Sequence, residues 1–327
     1  MSDTKRLFFV CYPDTNATIG GVKQIYRQVE LLSQAGYHAA VLQEKPNFRA
    51  DWFSSEAPVI DLQSFLNLPP NPASDCIVLP ETWLSNVPTY LNGIPKVIFN
   101  QNAYYTFGLD GNINTDTLNL YRHPDIRFVV TVSDDNRRFL VEGCGIDASR
   151  VFTVLNGIDG DLFYPPERKQ RRIVYLSRKH VQHPRSVQLM ASQRSFLQRY
   201  EFRELPRLSH NDLASELREA LVFLSSGHPE GFGLPLAEAI ASGCIVVGYH
   251  GLAGRDFCDE ALHQVEFGDL LGFLNSLESA LMEFELNPDL ITNKLINYAL
   301  ALRQRYSLDN ERQQCLSVWS KILNASD

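Results

Sequence analysis

The sequence predicts an α/β protein of two doubly wound parallel sheets, and three observations carry that prediction. Short β-branched and aromatic runs alternate with longer segments of helical period, the pattern of strands joined by crossover helices. At 327 residues the chain is long for one hydrophobic core and sufficient for two domains. A proline- and charge-rich stretch at 164–172, the best linker candidate, interrupts the alternation before a second strand–helix series begins.

Taken in order, residues 7–12 give the first strand. Val22, Ile25, Tyr26, Val29 and Leu32 then recur at helical spacing until Gly36, and 39–43 gives the next strand. Runs at 76–80, 96–100, 127–133 and 151–155 supply the remaining strands of the first half. The second half offers a strand at 173–177, a helix over about 184–200, an extended 202–205 and a helix over 209–220. That last helix opens on Ser209-His-Asn-Asp212, a capping-box pattern with aspartate in the usual place of glutamate. Strands at 221–225 and 244–249 follow, and helices over 270–286, 288–305 and 307–323 close the chain.

Composition, at 44% apolar and 21% charged, is that of a folded globular enzyme. The net charge is −8, and residues 1–160 carry 12 Lys/Arg against 17 Asp/Glu, so no basic surplus points to nucleic acid. No apolar run approaches the roughly 20 residues of a membrane span, and the run at 7–12 is too short for a signal peptide. A cytoplasmic location is expected, with membrane contact at most peripheral. Six scattered cysteines without a C-x-x-C pair read as reduced and structural.

The most informative segment runs from Ser226 to Val247: a strand end, a glycine-punctuated loop, a proline-started helix and another strand. Glycines let backbone approach a ligand, and a helix N-terminus welcomes phosphate. Glu230 before the helix and Glu238 within it would hold hydroxyls on two sides of that phosphate, which suits a phosphorylated or nucleotide-linked sugar. Gly20-Gly21 is the first-half counterpart; its loop has neither dinucleotide-fingerprint nor P-loop spacing. Two such loops at the carboxyl ends of two sheets would form one cleft. Asp134-Asp135 follows Thr131-Val-Ser133 and reads as a helix N-terminal turn, not a metal pair.

Glu230-Gly-Phe-Gly-Leu-Pro-Leu-Ala-Glu238 resembles the E-x7-E signature of the family-4 (group 1) retaining glycosyltransferases of the GT-B fold. Three other places agree in order: Gly20-Gly21; Asn156-Gly-Ile-Asp159 with Phe163 and Pro165; and Ser177-Arg178. The resemblance spans essentially the whole chain. It implies two Rossmann-like domains facing across a cleft, an acceptor-side domain at 1–163 and a nucleotide-sugar domain at 164–306. The last helix, 307–327, would pack back on the first domain with Trp319 as an anchor. The implied activity moves a sugar with retention from a UDP-, GDP- or ADP-sugar to a hydroxyl of a glycan or lipid-linked acceptor, in polysaccharide or other glycoconjugate synthesis. No cofactor and no metal are expected.

By the same resemblance Glu230 would bind the donor sugar, Glu238 the ribose, and the amides of Phe232, Gly233 and Leu234 the sugar and phosphate. Arg178 would stabilise the departing diphosphate, and Gly251 would touch phosphate or base. Two departures stand out. The family lysine five residues beyond the arginine is His183 here, leaving Lys179, Arg185 or His183 itself as the second cation. The family histidine at the first-domain strand end gives way to Gln101-Asn102, where the Asn102 amide would meet a sugar hydroxyl. Two alternatives stay open: a nucleotide-sugar-binding GT-B protein with altered catalysis, and a GT-B sugar-nucleotide epimerase. Acceptor choice falls to loops at 46–61 and 106–124.

Overall fold

A computed structural model describes residues 5–68, 70–108 and 116–325. The chain divides into two compact units, Met1–Asn156 with Glu311–Asp327, and Gly157–Asn310. The stretch at 164–172 is therefore no linker. It lies inside the second unit, where Lys169 is drawn in to cap carbonyls of Leu217, Arg218 and Ala220 at 2.8–3.2 Å.

The first unit holds β1 (Arg6–Val10), α1 (Gly20–Gln34), β2 (His38–Gln43), β3 (Val59–Asp61), α2 (Leu62–Leu66), β4 (Asp75–Pro80) and β5 (Lys96–Asn100). It continues through α3 (Thr117–Tyr121), β6 (Ile126–Thr131), α4 (Asp134–Arg138) and β7 (Val151–Thr153). The strands form one all-parallel sheet in the order β3-β2-β1-β4-β5-β6-β7. Parallel strands are covered on both faces, and β4 and β5 are accordingly apolar and buried along almost their full length. Part of the loop at 106–124 lies outside the described residues.

The second unit holds β8 (Gln170–Leu176), α5 (Gln182–Ala191), β9 (Glu201–Leu205), α6 (His210–Glu219), β10 (Ala220–Ser225), α7 (Leu234–Ala241) and β11 (Ile245–Gly248). Then come β12 (Leu262–Gln264), α8 (Leu270–Leu286) and α9 (Pro288–Arg305). Its parallel sheet runs β12-β11-β10-β8-β9. Both sheets are doubly wound, as their composition and periodicity predict. The helix expected over 184–200 ends at Ala191, because Ser192 bonds back to the Leu189 carbonyl and Arg194 is claimed by Glu278 and Asn275 of α8.

The last helix, α10 (Leu308–Asn324), returns to the first unit from Glu311 onward. Gln28 of α1 accepts hydrogen bonds from Trp319 Nε1 at 3.1 Å and the Cys315 thiol at 3.2 Å. Trp319 is fully buried with its ring 5.2 Å from Phe9 of β1, and Arg27 pairs with the buried Glu311. All six cysteines are buried and reduced; burial pushes the Cys76 thiol up to about 12, so it stays protonated. Among the described residues no helix is long and apolar enough to cross a membrane. Trp319→Ala is expected to destabilise the first unit by about 3–5 kcal/mol, read as a shifted denaturant midpoint with the second unit's transition unmoved.

Candidate functional site

In the second unit the site is built where β10 ends. The loop after Ser225 is pinned to the loop after β11: the Glu230 N–H donates to the Gly251 carbonyl at 2.7 Å, and Glu230 bridges to Leu252. Gly251 has φ +67°, and a Cβ there would stand 2.8 Å from the Gly227 carbonyl oxygen and 3.0 Å from Glu230 Cγ, so only glycine fits. Gly233 caps α7 at φ +91° and Pro235 lies in the first turn, so the amides around Gly233 and Leu234 open the positive end of the helix. The Phe232 side chain is buried against Phe257 and Tyr306 and can offer a ligand only its backbone.

The Glu230 carboxylate meets two cations: Arg178 Nη2 at 2.9 Å and Lys179 Nζ at 3.1 Å, the latter also donating to the Pro229 carbonyl at 2.7 Å. Both cations follow β8. At this exposure such pairs contribute at most about 1 kcal/mol each, so the arrangement matters for placing charge, not for stability. Of the other candidate cations, Arg185 is forked onto Glu204 at 2.6 and 2.7 Å, which holds that carboxyl down to about 2. His183 bonds Tyr249 Oη through Nδ1 at 2.8 Å and stacks on His180; burial first, and His180 second, lower its pKa. The neutral imidazole of His183 is thus favoured, and Lys179 is the cation that stands beside Glu230 together with Arg178.

Glu238 is almost fully buried on α7, with Oε1 3.2 Å from His210 Nε2. His210 is the first residue of α6, capped by Ser209, which accepts from the Asp212 N–H at 3.2 Å. The capping box was readable in the sequence; that it aims His210 at Glu238 was not.

In the first unit Gly20 and Gly21 open α1 after β1. Gln101, just past β5, donates to the Gly21 carbonyl at 3.1 Å, and a Cβ on Gly21 would come within 3.2 Å of its amide. Gln101 N–H in turn donates to Glu81 at 3.0 Å. Asn102 is buried, and its side-chain oxygen accepts from the Tyr104 N–H at 3.2 Å, capping a short turn. The polar side chain at Gly21 is therefore that of Gln101, with Glu81 behind it. Asp134 and Asp135 sit in the first turn of α4, capped by Ser133, and Asp135 accepts from Tyr104 Oη at 2.6 Å.

The structure thus brings Arg178, Lys179, Glu230, Gly233 and Gly251 together, sets Glu238 one helix turn further with His210, and in the first unit puts Gln101 against Gly21 while Asn102 turns to the Tyr104 N–H. A glycosyltransferase from Rickettsia africae ESF-5 superposes with a TM-score of 0.73 at 15% identity, covering 98% of this chain and 100% of that one. The fold is that of the GT-B glycosyltransferases. Anabaena HepE solved with UDP gives a TM-score of 0.70 at 14% identity over 97% of this GT-B chain and 100% of its own; it is also known with UDP-glucose. In sequence, an α-1,6-glucosyltransferase of Actinobacillus pleuropneumoniae serotype 7 (strain AP76) is 24% identical over 270 residues, 77% of this chain and 76% of that protein. The chain is a homologue of glycosyltransferases. No protein-family model matches it.

Three imidazoles have lowered pKa values, His183, His228 and His263, each chiefly through desolvation of the charged form. A base whose folded pKa lies below its ordinary 6.5 favours the fold fully above that pH, and the contribution falls away as pH drops below it. The melting temperature is expected to decrease between about pH 7 and pH 5.5, and His183→Gln to flatten that decrease.

Proposed function

We propose that this GT-B protein transfers a sugar, with retention, from a nucleoside-diphosphate sugar to an acceptor hydroxyl. The observation that carries this reading is the Glu230 carboxylate set against Arg178 and Lys179 at the carboxyl end of the second sheet, beside the N-terminus of α7. A donor sugar placed on Glu230 would leave its diphosphate to the two cations and the helix amides. Negative charge grows there as the bond from anomeric carbon to phosphate oxygen breaks. The acceptor oxygen attacks from the face the diphosphate leaves, and its proton passes to a phosphate oxygen of the leaving group. Glu238, held by His210, would bind the ribose hydroxyls. UDP is the nucleotide to test first, since HepE is known with UDP and UDP-glucose. A glycan or lipid-linked saccharide is the acceptor class proposed.

A second reading, a nucleotide-sugar-binding protein without transfer, is favoured by Asn102, whose oxygen is engaged with the Tyr104 N–H. UDP-, GDP- and ADP-glucose incubated with the protein distinguish the two, because a transferase leaks sugar to water and a binder returns the donor intact. Glu230→Ala is expected to cut donor turnover roughly 100-fold with UDP affinity retained. Glu238→Ala should instead weaken nucleotide binding about tenfold or more, measured by calorimetry. Undiminished turnover in Glu230→Ala would overturn the assignment.

A further inference from the structure

The first unit contains a second site-sized cavity, at the opposite edge of its sheet from Gly20-Gly21. It measures about 380 Å³ and lies where β1, β4, β5, β6 and β7 begin, against the end of α10. Strands of three to six residues, rising about 3.3 Å per residue, separate this amino edge from the carboxyl edge. Ligands in such sheets ordinarily use the carboxyl edge, so the cavity calls for its own explanation.

Its wall is cationic in a chain of net charge −8: Lys5, Arg122, Arg127 and Arg150 line it, with Asp75 as the one carboxylate among the described lining residues. Asp75 is already satisfied. Arg6 holds it through two bonds of 2.7 Å and the Asn71 N–H adds a third at 2.8 Å. The neighbouring acids are engaged as well, Asp125 with Lys96 Nζ at 2.9 Å and Asp147 with the Ser149 N–H at 2.9 Å.

Three of the cations, by contrast, donate to backbone carbonyls. Lys5 Nζ donates to the Leu323 carbonyl at 2.6 Å, Arg122 to the Leu118 carbonyl at 3.3 Å, and Arg150 to the Arg127 carbonyl at 3.1 Å and to that of Ile126. Among the described residues no carboxylate forms an ion pair with Lys5, Arg122 or Arg150. Guanidinium forks match phosphate oxygens two at a time, and three cations that make no carboxylate ion pair, set around one space, attract a polyanion. The volume exceeds what a bare phosphate fills and falls in the range of small-molecule sites, while Phe128 and Ile322 add apolar wall.

We propose that this cavity binds an organic phosphate, its phosphoryl oxygens met by Arg122, Arg150 and Lys5 and its organic body packed on Phe128 and Ile322. The proposal stands apart from the transferase reading and survives its failure. The phosphate could belong to a soluble metabolite or to a phospholipid headgroup, and glycerol 3-phosphate presents the chemistry common to both.

The test titrates the full chain calorimetrically with glycerol 3-phosphate, and in parallel follows its sedimentation with phosphatidylglycerol or phosphatidylcholine vesicles. Wild type and Arg178→Ala are expected to bind equally, and Arg122→Glu roughly tenfold more weakly. Arg122 is exposed, so this variant should keep the wild-type melting temperature; Arg122→Gln gives the same comparison should it not. Binding of glycerol 3-phosphate alone assigns a soluble ligand, and binding of phosphatidylglycerol vesicles alone assigns a headgroup. Binding of neither, or binding that survives Arg122→Glu and disappears in Arg178→Ala, overturns the proposal.

Discussion

The second unit's site depends on one close backbone approach. Glu230 N–H reaches the Gly251 carbonyl at 2.7 Å, across a gap that admits no Cβ on Gly251. That contact sets the loop after β10 against the loop after β11, and the rest follows from it. It fixes where the Glu230 carboxylate points, and so where Arg178 and Lys179 converge. It also orients the entry to α7, whose third turn-forming residue onward carries Glu238 into the interior. A buried carboxylate is costly unless it is partnered, and His210, presented by the cap of α6, stands 3.2 Å away. Main-chain geometry thus decides the electrostatics, with side chains filling positions the backbone has already set.

Much of this was legible in the sequence because parallel strands leave long apolar runs and helices leave a 3.6-residue period. The runs at 76–80 and 96–100 and the helices over 270–286 and 288–305 need no tertiary information. The three-residue strands β3 and β12 were not legible, being too short to show a period. Nor was the end of α5, which is settled by Arg194 reaching two residues of α8. The charged stretch at 164–172 has the composition of a linker, yet Lys169 is drawn into the second unit by three carbonyls distant in sequence.

Within the site, the glycines, the acids and the cations Arg178 and Lys179 were legible, and the partners of Glu238 and Gly21 were not. Glu230 and Glu238 stand out by spacing, while His210 and Gln101 acquire meaning only through contacts made across the fold. His183 shows the limit most clearly. Its position in the chain suggests a cation, but desolvation, with His180 beside it, makes its neutral form the favoured one. Position in a motif states what a residue can reach; surroundings decide its charge.

The return of the last helix to the first unit bears on how the chain is made. The second unit is one continuous segment, Gly157–Asn310, whereas the first is assembled from two pieces that bracket it. Trp319 and Glu311, which close over Gln28 and Arg27 of α1, are synthesised after the whole of the second unit. During translation the second unit can therefore complete its core while the first still waits for its covering helix. The face of α1 that α10 will cover stays open until α10 has been made, an interval in which the first unit is exposed to chaperones and to aggregation.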